Sequence, residues 1–235
     1  MIPLFHDFDG ETVLVIGGGD VGLRKARRFA REAVVIVVSP AFADGFDELV
    51  SSSGPESNES ASDPGDSTSA GAIRLVRAAP DLDSVAGWVR RADPALVVAA
   101  TDDGATNAAV EAAARDHGAL INRTDRSGAR EPESVVVPAT IRDDPVAIAI
   151  STGGSSPALS RYLREQIETE LAGAGAMAEM TAQLRERLKG ADVAPQTRRD
   201  AVRAAVRDQT VWKSLQEGTV SYQQLADRLV RETTE

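Results

Sequence analysis

Glycines at positions 17, 19 and 22, spaced as G-x-G-x-x-G, follow the apolar run 12–16 and open a segment in which Leu23, Ala26 and Ala30 recur at helical spacing. That pattern is suited to holding a pyrophosphate. Gly17 allows the tight turn, Gly19 lets backbone approach the ligand, and Gly22 lets the helix pack close to its strand. Unpaired N–H groups and the positive dipole end at the helix start favour an anion, so Gly17, Gly19, Asp20, Val21 and Gly22 are the candidate contacts. The competing reading is a strand-turn-helix corner that needs glycines only for packing. A second helix start lies at Gly153-Gly154-Ser155-Ser156-Pro157, with Ser156 as N-cap and Pro157 at the first helical position. It too is an anion site by construction, and Arg161 and Arg164 follow one and two turns on.

The elements that must hold these residues follow from the hydrophobic pattern. Residues 34–38 are an unbroken apolar run that suits a parallel strand buried on both faces. The run ends at Ser39, where this kind of fold commonly presents an acidic residue to the adenosine ribose about 20 residues past the first glycines. A serine can hydrogen-bond a ribose hydroxyl and no arginine follows immediately, so a choice between NAD and NADP is not written there. Ala41 and Phe42 can flank the adenine; for Phe42 ordinary packing competes. Residues 51–72 are rich in Ser, Gly, Pro, Asp and Glu, cannot repay the entropy of ordering, and are expected to form a flexible acidic loop.

Strands at 73–76, 95–100 and 119–121 alternate with helices at 82–91 and 105–117, which predicts an α/β chain with a parallel sheet. Thr101 and Asp102 lie at the carboxyl end of their strand, the edge where open α/β sheets take ligands. They read either as nicotinamide-side contacts or as a helix N-cap.

The chain of 235 residues is long enough for one full core and a smaller appendage. Its net charge of -10 argues against nucleic acid, which needs clustered Lys and Arg. No apolar stretch approaches the roughly 20 residues of a membrane span, and the first residues lack the regions of a signal peptide. With no cysteine there are no disulfides and no thiolate chemistry. His6 and His117 lie far apart without ligand spacing, so no resident metal is expected. These features suit a cytoplasmic enzyme.

Taken together, residues 17–22, Ala99-Ala100-Thr101-Asp102-Asp103, residues 122–125 and Ser151-Thr152-Gly153-Gly154-Ser155-Ser156-Pro157 resemble the precorrin-2 dehydrogenase family, which also forms the N-terminal part of siroheme synthases. The likeness runs in the family's order over nearly the whole chain. It implies a Rossmann-type NAD-binding domain at 1–121, a small strand-rich dimerisation segment at 122–150 and a C-terminal helical region at 151–235. In such proteins strands like those at 135–141 and 146–150 pair between subunits, which implies a homodimer. The implied reaction is oxidation of precorrin-2 to sirohydrochlorin, with NAD as hydride acceptor, in siroheme or other tetrapyrrole biosynthesis.

Asp125 matches the family's catalytic aspartate, and chemistry gives it a reason: dehydrogenation releases a proton as well as a hydride, and a positioned carboxylate accepts it. Arg123 and Arg126 beside it can hold Asp125 ionised or bind substrate carboxylates. Precorrin-2 carries acetate and propionate groups, so Gly153, Gly154, Ser155, Ser156 and Arg161 are the implied substrate contacts, against the reading of plain capping and solvated arginines. Residues 126–134 are a few longer than the family pattern. Some relatives also insert iron, and the residues leave that open. They leave open as well a regulatory module that binds NAD without turnover.

Overall fold

Five short strands, β1 (Thr12–Ile16), β2 (Val34–Ser39), β3 (Ile73–Arg77), β4 (Leu96–Ala99) and β5 (Leu120–Arg123), form one parallel sheet in the order β3-β2-β1-β4-β5. The computed structural model describes residues 3–52, 71–126, 131 and 133–234. Helices α1 (Asp20–Phe29), α2 (Gly45–Ser52), α3 (Val85–Ala92) and α4 (Gly104–His117) connect the strands. Side chains alternate along each strand, so both faces of the sheet are buried. Val13, Val15, Val35 and Val37 meet Ala26, Phe29 and Phe46 on one face. Leu14, Ile16, Val97 and Ile121 meet Val85, Val89, Val110 and Ala114 on the other. The order of strands reverses direction at β1 and β4, so their carboxyl ends flank the crevice in which a doubly wound sheet takes its ligand.

Several boundaries differ from the expected ones for local reasons. The helix expected from 82 begins at Val85, because Asp81 accepts the Ser84 N–H at 2.8 Å and Ser84 Oγ accepts the Asp81 N–H at 3.0 Å, closing a separate turn. The strand expected at 135–141 is replaced by two different things. Val135 and Val137 pack into the core of the sheet, and regular pairing begins only at Ala139. Before that, Ser134 bridges Ile121 in parallel, with the Ile121 N–H bonded to Glu133 O and the Val135 N–H to Ile121 O. Ser51 and Ser52 close α2, Gly71 and Ala72 lead into β3, and the rest of the expected acidic loop lies outside the described residues.

The chain divides into two units, Met1–Val137 and Pro138–Glu235. β5 carries the sheet of the first unit through Arg123, beyond residue 121 where the Rossmann-type region was expected to end. In the second unit β6 (Ala139–Asp143) and β7 (Val146–Ile150) form an antiparallel hairpin. Five helices follow: α5 (Pro157–Glu170), α6 (Ala174–Gly190), α7 (Pro195–Arg207), α8 (Gln209–Gln216) and α9 (Tyr222–Thr234). Met177, Met180, Leu184 and Leu188 recur along α6 at helical spacing and pack with Ala205, Val211, Leu215 and Leu225. Gly175 sits where an added Cβ would lie 2.3 Å from the Asp144 carbonyl oxygen, so α6 approaches the hairpin at backbone distance. No helix among the described residues is long and apolar enough to cross a membrane.

Candidate functional site

The glycine turn is held by main-chain contacts on three sides. Gly17 has φ of 121°, its N–H donates to Val38 O at 3.0 Å, and a Cβ there would lie 2.3 Å from Ala100 O. A Cβ on Gly22 would lie 2.0 Å from Gly17 O, so α1 can pack against the turn only without a side chain. Gly18 does the same for the loop after β2: its carbonyl accepts the Ala43 N–H at 2.8 Å, and a Cβ would lie 2.3 Å from Ala41 O. Gly19 is different. A Cβ built there meets nothing within 4 Å, and as N-cap of α1 it supplies no side-chain hydrogen bond to the first turn. The unbonded N–H groups of that turn therefore face open space that a diphosphate can fill. The exposed Asp20 carboxylate cannot attract an anion, so Asp20 and Val21 can serve it only through their backbone.

At the end of β4 the buried Asn107 ties down Thr101. Asn107 Oδ1 accepts from the Thr101 N–H at 3.1 Å and from its hydroxyl at 2.8 Å, while Nδ2 donates to Thr101 O at 3.0 Å. The N-cap of α4 is Asp103, whose carboxylate accepts from the N–H groups of Ala105 and Thr106, and not Thr101 or Asp102. That cap is typically worth about 1 kcal/mol. Asp102 is left exposed beside the crevice.

Asp125 follows β5 in a turn anchored by Thr124, whose N–H and hydroxyl both bond Ala99 O, at 3.1 and 3.0 Å. The Arg123 guanidinium grips the Asp125 carboxylate as a fork, Nε to Oδ1 at 3.0 Å and Nη2 to Oδ2 at 2.5 Å. Arg123 is 4% exposed, and its third nitrogen, Nη1, donates to Glu111 Oε2 at 2.9 Å. Glu111 is itself buried on α4 and bonds Arg115 through Oε1 at 2.7 Å. Arg126 lies farther out, 3.7 Å from Glu111, and Glu133 lies 3.8 Å from Arg115. The hydrogen bonds from Arg123 hold the Asp125 carboxyl below the usual carboxylate range, against an opposing effect of burial, with smaller help from the Arg123 charge and Asn107. Arg123 is thereby committed to Asp125 and Glu111, while the more exposed Arg126 keeps a longer ion pair with Glu111 at 3.7 Å. Asn107 and Glu111 were missed in the sequence. Their signal is the polar series Asn107, Glu111, Arg115, one every fourth residue on an alanine-rich helix.

In the second unit the helix start has the expected capping. Ser156 Oγ accepts the Leu159 N–H at 3.2 Å, Pro157 opens the helix, and Gly153 and Gly154 take positive φ. Thr152 Oγ1 accepts the Ser156 N–H at 3.1 Å. Residues 153–155 are exposed, while Arg161 and Arg164 pair with Glu165 and Glu168 one turn on.

Comparisons with known proteins agree with this architecture. Residues 4–139 match the family described as putative NAD(P)-binding, and residues 143–170 match that of the sirohaem biosynthesis protein central region. A siroheme synthase of Pseudomonas fluorescens strain Pf0-1 is 33% identical over 229 residues, 96% of this chain, which spans 41% of that protein's length. A precorrin-2 dehydrogenase of Methanosarcina barkeri is 32% identical over 232 residues, covering 97% of this chain and 91% of its own. The solved structure of SirC, a precorrin-2 dehydrogenase, shares the fold with a TM-score of 0.62 at 18% identity, over 97% of this chain and all of that one.

Two outcomes follow from the geometry. Gly22→Ala costs about 1–3 kcal/mol of stability through overpacking, whereas Gly19→Ala keeps the wild-type denaturation midpoint and lowers dinucleotide affinity; equal loss of stability in both would contradict the assignment of open space to Gly19. Arg123→Met raises the Asp125 pKa toward or above its ordinary value of about 3.9, read by carboxyl ¹³C titration. Because the folded-state pKa is depressed, the pair stabilises the fold above the unfolded pKa, and that contribution is lost as pH falls through the folded value. Wild type therefore loses more stability on acidification below about pH 4 than the variant does.

Proposed function

This chain belongs to the precorrin-2 dehydrogenase family, and from that membership we propose that it oxidises precorrin-2 to sirohydrochlorin with NAD. The observation that carries the reading is Asp125: an ionised carboxylate fixed by a buried arginine, on a turn anchored to the same strand, β4, whose end lies against the glycine cradle. A module that only senses a nucleotide has no use for it.

The open face at Gly19 and the free N–H groups of the first turn of α1 fit the diphosphate of NAD, and Thr101 with Asp102 lines the crevice on the nicotinamide side. When bound, NAD supplies the hydride acceptor. Asp125 accepts the proton that dehydrogenation releases, and its fork with Arg123 trades basicity for a fixed direction, since a carboxylate gripped at both oxygens cannot swing away from the substrate. Glu111 keeps Arg123 in place by taking its remaining nitrogen. Gly153, Gly154, Ser155, Ser156 and Arg161 are the proposed contacts for the acetate and propionate groups of the substrate. Arg161 reaches them only by leaving Glu165, an exposed pair worth about 0.3–0.5 kcal/mol and so easily exchanged. We place the protein in the cytoplasm, where a biosynthetic dehydrogenase draws on the nucleotide pool.

Under anaerobic conditions the purified chain is expected to convert precorrin-2 to sirohydrochlorin on addition of NAD, followed by absorbance. Asp125→Asn lowers that rate by roughly a hundred- to ten-thousand-fold while NAD binding persists; an undiminished rate removes Asp125 from catalysis, and NAD binding without turnover in wild type favours a regulatory module. We also propose that the β6–β7 hairpin pairs two chains in a homodimer, the support being the apolar strand β7, Val146–Ile150, of which no residue is fully buried. Sedimentation at micromolar concentration then gives twice the mass of the chain, and a monomer mass throughout would sink the dimer.

A further inference from the structure

Resting on the reading of the glycine turn as a dinucleotide site, we propose that its adenosine end accepts a 2′-phosphate through Arg77, so that the protein takes NADP as well as NAD. In this fold the residue ending the second strand faces the adenosine ribose, where an acidic side chain holds the 2′-hydroxyl and repels a phosphate, and a nearby arginine instead welcomes one. Here that residue is Ser39, and residues 39–43 carry no charge. The arginine that the segment itself lacks is supplied by the neighbouring strand. β3 pairs with β2 in parallel, Arg77 is the register partner of Ser39, and the Ala78 N–H bonds Ser39 O at 3.1 Å, so the pairing persists to the very ends.

Register partners in a parallel pair project to the same face, here the face on which Val37 and Leu75 pack and on which Phe42 lies. The guanidinium of Arg77 is held there on two sides. Its central carbon stands 5.4 Å from the centroid of the Phe42 ring, and Nη1 makes a long contact of 3.4 Å with Pro40 O. Phe42 in turn meets the fully buried Phe46 edge-on at 5.4 Å, which fixes the ring under the cation. A guanidinium carries five N–H donors in a planar fork, and most of those on Arg77 remain for an incoming anion. Arg161, Arg164 and Arg187 each carry an acidic partner, whereas Arg77 makes no ion pair among the described residues. A cation pinned beside a neutral Ser39, at the place where a 2′-substituent arrives, recognises a phosphomonoester.

Calorimetric titration of the full chain with NAD, NADP and adenosine 2′,5′-bisphosphate tests this without recourse to turnover. Wild type is expected to bind NADP within about tenfold of NAD and to bind the bisphosphate, and Arg77→Glu to weaken both phosphorylated ligands by about tenfold or more while NAD changes by less than about threefold. NADP weaker than NAD by more than that margin in wild type overturns the proposal, as does an Arg77→Glu variant that weakens all three alike. If NAD binds and NADP does not, only this inference fails; if neither binds, the dinucleotide site fails and this inference with it.

Discussion

The first unit depends on how closely three stretches of main chain approach one another at the end of β1. Gly17 lies against the carbonyl of Ala100, Gly22 against that of Gly17, and Gly18 against that of Ala41, all at distances where a methyl group would clash. These contacts are made by backbone alone, so they cannot be relieved by a change of rotamer. They fix the start of α1, the loop after β2 and the loop after β4 relative to one another, and so give the rim of the crevice a single shape. Gly19, at the centre of the same turn, is the position that this packing leaves open.

Electrostatics then decides what the rim can do. Charges alternate in sign from Asp125 through Arg123 and Glu111 to Arg115, with the middle two nearly withdrawn from water. Arg123 is met by two carboxylates and Glu111 by three arginines, which is the condition under which burial of ions is tolerated. The outermost member, Asp125, gains a fixed orientation and stays ionised. Thr101, at the end of β4, is fixed by a neutral device, the amide of Asn107, which satisfies both the N–H and the C=O of one residue. α4 thus supports both sides of the rim from behind, through residues that no ligand need touch.

The features legible in the sequence were those that depend on neighbours in the chain. The glycine spacing, the unbroken apolar strands and the Ser156-Pro157 helix start each declare themselves within a few residues, and the alternation of strands with helices is enough for a parallel sheet. The helix start at Val85 was hidden because the pairing of Asp81 with Ser84 mimics a cap. Val135 and Val137 resembled a strand because the same β-branched side chains serve equally well as core filling without a ladder. Arg123 was visible, but its commitment to Glu111 joins residues 12 apart on different elements, and Arg77 reaches Pro40 across 37. Such pairings are products of topology, and pattern alone does not contain them.

The stretch 133–135 that lies along β5 bears on how the protein is made. A sheet edge left bare offers its unpaired N–H and C=O groups to any other extended chain, and mature proteins take care to cover such edges. Here the cover is the protein's own later sequence, with Glu133 and Val135 bonding Ile121 on its outer side and Asn122 Nδ2 donating to Val135 O at 2.8 Å. During translation the five strands are complete before that cover emerges. At roughly 5–20 residues per second the interval lasts on the order of a second. For that time the nascent chain carries a sticky flank, and the pace of the ribosome governs how long neighbouring chains on the same message can reach it.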